Sequence, residues 1–444
     1  MFLLKLSKSI GLAIGTVAFT LSLTSIAQAA EVPAAPAAAG GAHALPASPA
    51  KTDAADESLV KLSGSVPAAA TAGNDRGAVD PSTRMEHMVV VLQRSPEQDA
   101  ALRQLLSMQQ ASGSAFYHQW LSTAEFGKTF GASDKQLASV TLWLTLQGFQ
   151  INEVRSNHLA IDISGTAGQV HQAFHTEIHS VNVGGVTHFS NLSDPQIPVG
   201  FSGVVAGITG LNDFKPARAF ATGGKGTEFT PADFYSTYNM APVLNGTGAF
   251  PVAYTGTGHV VAVAEDSTVS TISFDSFRNN MVSSYGTGTR DLKMYDGVPA
   301  SGCAAAGRTG SIGEQQALAD SEWALAGAPG AQVVLVSCND SAIKTGAEAA
   351  AEVIIDHPML SSTRIDSVSV GVNVCESGRS AADIANWKNY LLAAAAEGIS
   401  VFTPTDDAAA CDLGLTKTPV VSAPEAPSSA NLSFATAKTS YCDV

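Results

Sequence analysis

The chain has 444 residues, of which 45% are apolar and 14% charged, enough for two or three domains with sizeable cores. Acidic residues outnumber basic ones 39 to 24, a net charge of −15, and no basic run breaks the excess. That balance argues against a nucleic-acid partner and suits a surface that works in acid, where carboxylates lose charge.

Residues 1–30 read as an export signal. Lys5 and Lys8 precede an apolar run from Ile10 to Leu23, and Ala27-Gln28-Ala29 supplies a small-residue cleavage site. The run is short for a membrane span of about 20 residues. Export permits disulfides, and the five cysteines are Cys303, Cys338, Cys375, Cys411 and Cys442. Their odd number leaves at least one unpaired, their spacing does not choose among pairings, and no two stand at CxxC spacing. Residues 31–84, rich in Ala, Pro, Gly and Ser, show little apolar periodicity and read as a disordered leader.

From Met85 the texture changes. Met88 to Leu92 is strand-like, and Glu97 to Gln110 carries helical spacing through Leu102, Leu105 and Leu106. Ser133 caps a predicted helix that buries Leu137, Val140, Trp143 and Leu144 and stops at Gly148. Phe149 to Val154 and His158 to Ile163 pair around Ser156-Asn157; a helix over Gln169 to Phe174 and a strand over Thr176 to Val183 follow. The order β-α-α-β-β-α-β predicts a compact α+β domain over 85–215, and residues 216–228, with Gly223-Gly-Lys-Gly226, predict an exposed linker.

In residues 229–444 strands alternate with helices. Strands are predicted over Val260 to Ala264, Gln332 to Val336, Ile365 to Gly371 and Ile399 to Thr403. Helices are predicted over Phe274 to Asn280, the tract after Gly313, Gly346 to Ile355 and Ala381 to Ala396. That alternation implies a parallel, doubly wound sheet.

Several words carry a family resemblance. Tyr117…Trp120-Leu121, Trp143-Leu144…Gly148-Phe149, Ala173-Phe174-His175-Thr176 and Ile197-Pro198…Gly207-Ile208 stand in one order. Further on, Asp320-Ser-Glu-Trp323 runs into Ala328-Pro-Gly-Ala331. Together they resemble the sedolisins, serine-carboxyl peptidases made as precursors with a pro-kumamolisin-type activation prosegment. The resemblance implies an α+β ferredoxin-like prodomain that covers the active-site cleft, followed by an incomplete α/β subtilisin-like catalytic domain. It implies a secreted zymogen for acid-pH peptide-bond hydrolysis, with a polypeptide substrate and an intramolecular contact between prosegment and catalytic domain.

The site residues follow from the same resemblance. The family's helix carries a Glu and an Asp four residues apart, so that both project from one face and activate a distant serine. Asp320 matches the Asp, Gln316 stands at the Glu position, and no Ser-Gly-Thr-Ser word occurs in the 444 residues. Asp406 matches the aspartate of the oxyanion hole, although Thr405 and Ala408 replace its flanking glycines. Glu314 and Glu322 are expected on a solvated helix face, and Glu265 at the end of a strand as a solvated acid or a supporting carboxylate. Val368-Ser-Val-Gly371 resembles the strand bordering the cleft. The family's calcium loop is not found, so no cofactor or metal is implied; His171 and His175, at i and i+4, lack a third ligand.

The leading expectation is therefore a sedolisin-like precursor, C-terminally truncated and inactive as written. The rivals are a non-catalytic binding protein or inhibitor of a related peptidase, and a pseudogene product. Seven of ten histidines, His87, His118, His158, His171, His175, His179 and His188, lie in the prosegment-like region. Acid is expected either to loosen that region from residues 229–444 or, if these are scattered surface groups, to change little.

Overall fold

A computed structural model describes residues 58–215, 229–285, 292–298, 301–310, 312–356, 364–371 and 379–403. The expected export signal, the expected linker 216–228 and Asp406 lie outside the described residues.

The first region begins earlier than its composition suggests. β1 (Leu59–Lys61) pairs antiparallel with β8 (Gln196–Pro198), and β2 (Asp75–Ala78) with β6 (Ile178–Val183). Residues 58–84, expected to be a leader, are held by these partners. Strands of three and four residues have no periodicity of their own to detect.

Its central sheet has the order β4-β5-β3-β9, all antiparallel, with β3 Arg84–Leu92, β4 Gln150–Val154, β5 Ala160–Thr166 and β9 Val205–Thr209. The continuous run Met88 to Leu92 is explained by two covered faces. Met88, Val90 and Leu92 join the domain's own helices in one core, while Val89 and Val91 face the opposite way with Ala160.

Those helices are α1 (Pro96–Gln110), α2 (Thr123–Phe130), α3 (Asp134–Leu146) and α4 (Ala167–Phe174). Each starts with a reciprocal capping box: Ser95 with Gln98, Ser122 with Glu125, Ser133 with Gln136, Thr166 with Gln169.

The strand predicted over Thr176 to Val183 forms as β6, outside this sheet, in a hairpin with β7 (Val186–Asn191), and β9 completes the central sheet. The reason is Gly184-Gly185, both at positive φ, which supply the tight two-residue turn.

The second region opens with short α5 (Pro231–Thr237) and α6 (Ala241–Asn245) and holds a fully parallel five-stranded sheet, order β11-β12-β10-β13-β14. Its strands are β10 Val260–Glu265, β11 Lys293–Asp296, β12 Gln332–Ser337, β13 Ser367–Val370 and β14 Ser400–Phe402. Alternation divides its faces. Val263, Val333 and Leu335 pack with α7 (Thr271–Phe277) and α8 (Ile312–Gly327), through Phe274, Ala317 and Leu325. Ala262, Ala264, Val334, Val336 and Val368 face the other way, in one core with α9 (Gly346–Asp356) and α10 (Ala381–Glu397).

The two regions share that second core. Ala385 of α10 packs against Val89, Val91 and Ala160. Gly207 on β9 is required by close approach, since a Cβ there would lie 2.5 Å from that of Ala382. Main-chain groups and one side-chain amide join across the seam. Ala381 N–H donates to Gly64 O at 2.9 Å, Leu121 N–H to Ala396 O at 3.0 Å, and Asn389 Nδ2 to Leu92 O at 2.9 Å.

Candidate active site

α8 carries the candidate pair. Gly313, Glu314, Ala317, Ser321 and Leu325 form its buried side, and Gln316 and Asp320 sit one turn apart on the neighbouring, more open side. The pair is formed: Gln316 Nε2 donates to Asp320 Oδ1 at 3.0 Å and Oδ2 at 3.1 Å. The amide engages both carboxylate oxygens but has no titratable proton near any working pH, so it cannot take one from a nucleophile and return it.

Glu314 departs from expectation. It faces away from Asp320, as the helical angle requires, but it is buried rather than solvated. Its carboxylate receives Arg308 Nε at 2.7 Å and Gly310 N–H at 2.9 Å. The Arg308 hydrogen bond, helped by Gly310, holds the carboxyl below its usual range. Sequence spacing does not reveal this partner, because Arg308 arrives from the preceding loop. Glu322 is likewise half-buried, and burial pushes its carboxyl up to about 7.

Glu265 ends β10 and is 1% exposed, so the reading as a solvated strand-end acid is also corrected. A Cβ at Gly371, just past β13, would collide with its carboxyl; glycine at that position leaves the acid its space. Val368-Ser-Val-Gly371 is thereby placed beside Glu265 at the carboxyl ends of the parallel strands, where open α/β sheets present their binding crevices. Asp406 is not among the described residues, so the structure brings together Gln316 and Asp320 but says nothing of the third matched position.

Cys303 and Cys338 form a disulfide, closing one of the pairings left open; Cys375, Cys411 and Cys442 are outside the described residues. Among the described residues no group of three or more His, Cys, Asp or Glu is placed to hold a metal ion. His171 lies 3.6 Å from Glu177, and His175 is the left-handed C-cap of α4.

A second polar cluster escaped the sequence reading. Arg155, 3% exposed, extends from the turn after β4 and donates to Ser301 O of the second region at 2.7 Å. It pairs with Glu153 at 2.7 Å and lies 4.0 Å from Asp162. Burial disfavours its charge, yet Tyr390, Glu352, Glu153 and Asp162 outweigh that and raise its pKa. A usable signal was present: Glu348, Glu352 and Asp356 recur every four residues along α9, an otherwise apolar helix.

Comparison with known proteins follows the first region. A family profile described as "Pro-kumamolisin, activation domain" matches residues 71–214. The chain is 30% identical over 128 residues to Xanthomonalisin from Xanthomonas sp. (strain T-22), covering 29% of this chain and 15% of that protein. It is 29% identical over 132 residues to Sedolisin from Pseudomonas sp. (strain 101), covering 30% of this chain and 22% of that protein. The match thus spans less than a quarter of either relative.

Proposed function

We propose, from the premise that the chain is a sedolisin-family precursor with a pro-kumamolisin activation domain, that it has the form of a peptidase zymogen without its acid–base pair. The observation that carries this reading is the Gln316–Asp320 hydrogen-bonded pair, standing where the family's resemblance puts Glu and Asp. A carboxylate there would accept a serine proton; the amide holds Asp320 in place and does nothing further.

The finer architecture belongs to the same proposal. The antiparallel order β9-β3-β5-β4, with helices in the β3–β4 and β5–β9 connections, supports a ferredoxin-like prosegment. The parallel order β11-β12-β10-β13-β14, with helices on both faces, supports a subtilisin-like second domain. Export is supported by the signal-like N-terminus and the Cys303–Cys338 disulfide, which needs an oxidising compartment. No described helix is long and apolar enough to cross a membrane.

A second reading, a non-catalytic binding protein, is favoured by one observation. The first region seats on α9 and α10, on the sheet face opposite α8, so docking does not require a working Gln316–Asp320 site.

The test is hydrolysis of denatured protein at about pH 3 to 5 by the 444-residue chain. No turnover is expected, and Gln316→Glu alone should not create it, because the chain holds no Ser-Gly-Thr-Ser word. Hydrolysis that vanishes in Asp320→Ala would overturn the proposal.

A further inference from the structure

Cys303 and Cys338 are both fully buried and are joined across 35 residues of sequence. Cys338 follows β12 directly, and Cys303 lies in the connection from β11 to α8. The bridge therefore ties together two loops that leave the carboxyl ends of neighbouring strands. Beside it, Asn339 N–H donates to Ala304 O at 2.7 Å.

Each of these loops seats the first region. On the Cys303 side, Ser301 O accepts Arg155 Nη2 at 2.7 Å, and both residues are buried. Gly302, at φ +73°, lies against the His87–Asp162 pair; a Cβ there would stand 3.0 Å from His87 Nδ1 and 3.4 Å from Asp162 Oδ2. On the Cys338 side, Ser341 O accepts Lys215 Nζ at 2.7 Å, and Asp340 lies 3.8 Å from the same ammonium. Ile343 reaches Gly210, where a Cβ would meet its Cδ1 at 2.8 Å.

We propose that the Cys303–Cys338 bridge is a redox clasp for the first region. Oxidised, it holds both loops in the arrangement that seats Arg155 and Lys215. Reduced, it releases the Cys303 loop and loosens that seat. The reductant is a dithiol. Its thiolate attacks one bridge sulfur, the S–S bond breaks, and the mixed disulfide is resolved when the second thiol closes on the first. Two electrons and two protons pass to the protein, which ends with two thiols, while the dithiol leaves as a cyclic disulfide.

Two thiols cannot stand at bonding distance. Sulfurs about 2 Å apart must separate by more than about 1 Å once the bond is gone. The two sides yield unequally. Cys338 continues an interior strand of the sheet, and its N–H donates to Glu265 O at 3.1 Å. The Cys303 loop is held by bonds back on itself, Val298 N–H to Cys303 O at 2.6 Å and Ser301 N–H to Val298 O at 3.0 Å. The displacement therefore falls on Ser301 and Gly302. Arg155, 3% exposed, then loses a main-chain acceptor in a place closed to water. A buried charged donor without its acceptor disfavours the docked arrangement at least about tenfold.

The coupling is reciprocal. A docked first region holds Ser301 and Gly302 in place, and so favours the bridge by the same factor. The seat is thereby complete only where the bridge is oxidised.

The test is amide exchange on the full chain, oxidised and in excess dithiothreitol, at about pH 7. The reporter is Asn157 N–H, in the same turn as Arg155, which crosses to Asp356 Oδ1 at 2.8 Å. Val90 on β3 and Val334 on β12 report the folding of each region. Reduction should lower protection at Asn157 at least about tenfold and leave Val90 and Val334 within about twofold. Cys303→Ala/Cys338→Ala should show the lowered protection without reductant, and dithiothreitol should change it no further. That variant also decides the matter if the buried bridge resists reduction, and it separates the bridge from Cys375, Cys411 and Cys442. Unchanged protection at Asn157 in the variant, or equal loss at all three amides, would overturn the proposal. A dithiothreitol effect that persists in the variant would do so as well.

Discussion

Replacing Arg155 by Met tests how much of the docking rests on one buried cation. The side chain is 3% exposed, and its removal strands Glu153, itself 19% exposed, while Asp162 keeps His87 at 3.0 Å and Asn152 Nδ2 at 2.8 Å. It also removes the donor to Ser301 O on the second region. Breaking a buried ion pair from one side costs about 3–5 kcal/mol, because the remaining charge has no compensation. The lost charged hydrogen bond is part of that figure, since its separate worth is about 1.5–3 kcal/mol.

The control is Arg84→Met. Arg84 sits 2.8 Å from Glu86, but the pair is 58% and 54% exposed, so the expected cost is about 0–1 kcal/mol. Urea unfolding, followed by far-UV circular dichroism and by fluorescence of Trp120 and Trp387 near the seam, reads both variants. Arg155→Met/Glu153→Gln should recover part of the loss, since it removes one stranded carboxylate. An Arg155→Met variant within about 0.5 kcal/mol of wild type would refute the reasoning, as would a double variant no better than the single.

Two further substitutions probe packing and local structure. Gly207→Val drives side-chain atoms into Ala382, 2.5 Å from the added Cβ, and should cost about 1–3 kcal/mol in thermal unfolding of the full chain. Ser122→Ala removes the hydroxyl that caps α2, bonded to Glu125 Oε2 at 2.7 Å, and should cost about 1 kcal/mol in the same measurement.

Much of the fold was legible because its helices announce themselves locally. Ser133 marked the start of α3, and Gly148 its end. The Ser122-Thr-Ala-Glu125 word held the same signal for α2, although no apolar repeat drew attention to it. β10, β12 and β13 were readable as apolar runs because both their faces are covered, whereas β11, Lys-Met-Tyr-Asp at the edge of the sheet, was not predicted. β1, β2 and β8 were not, since each is fixed by a distant partner rather than by its own residues.

At the site, the spacing of Gln316 and Asp320 was enough to predict their contact, because a helix imposes it. The burial of Glu265 and Glu314 was hidden, because it depends on Gly371 and Arg308, which come from other segments. Asp356 was marked only by its four-residue spacing from Glu352 and Glu348 on apolar α9; its partner, the Asn157 N–H, comes from a distant turn.

The way Ala381, Leu121, Ala396 and Leu92 meet across the seam has a bearing on how this partnership drifts over time. Two of these contacts, Ala381 to Gly64 and Leu121 to Ala396, join peptide groups that every residue carries, beside a ridge of alanines too short to interfere. The others, from Asn389 to Leu92 O and from Arg155 to Ser301 O, depend on one particular side chain each. Where Gly207 meets Ala382 no such tolerance exists: a single added carbon there meets a neighbour at 2.5 Å, so this spot responds to bulk as a step rather than a slope.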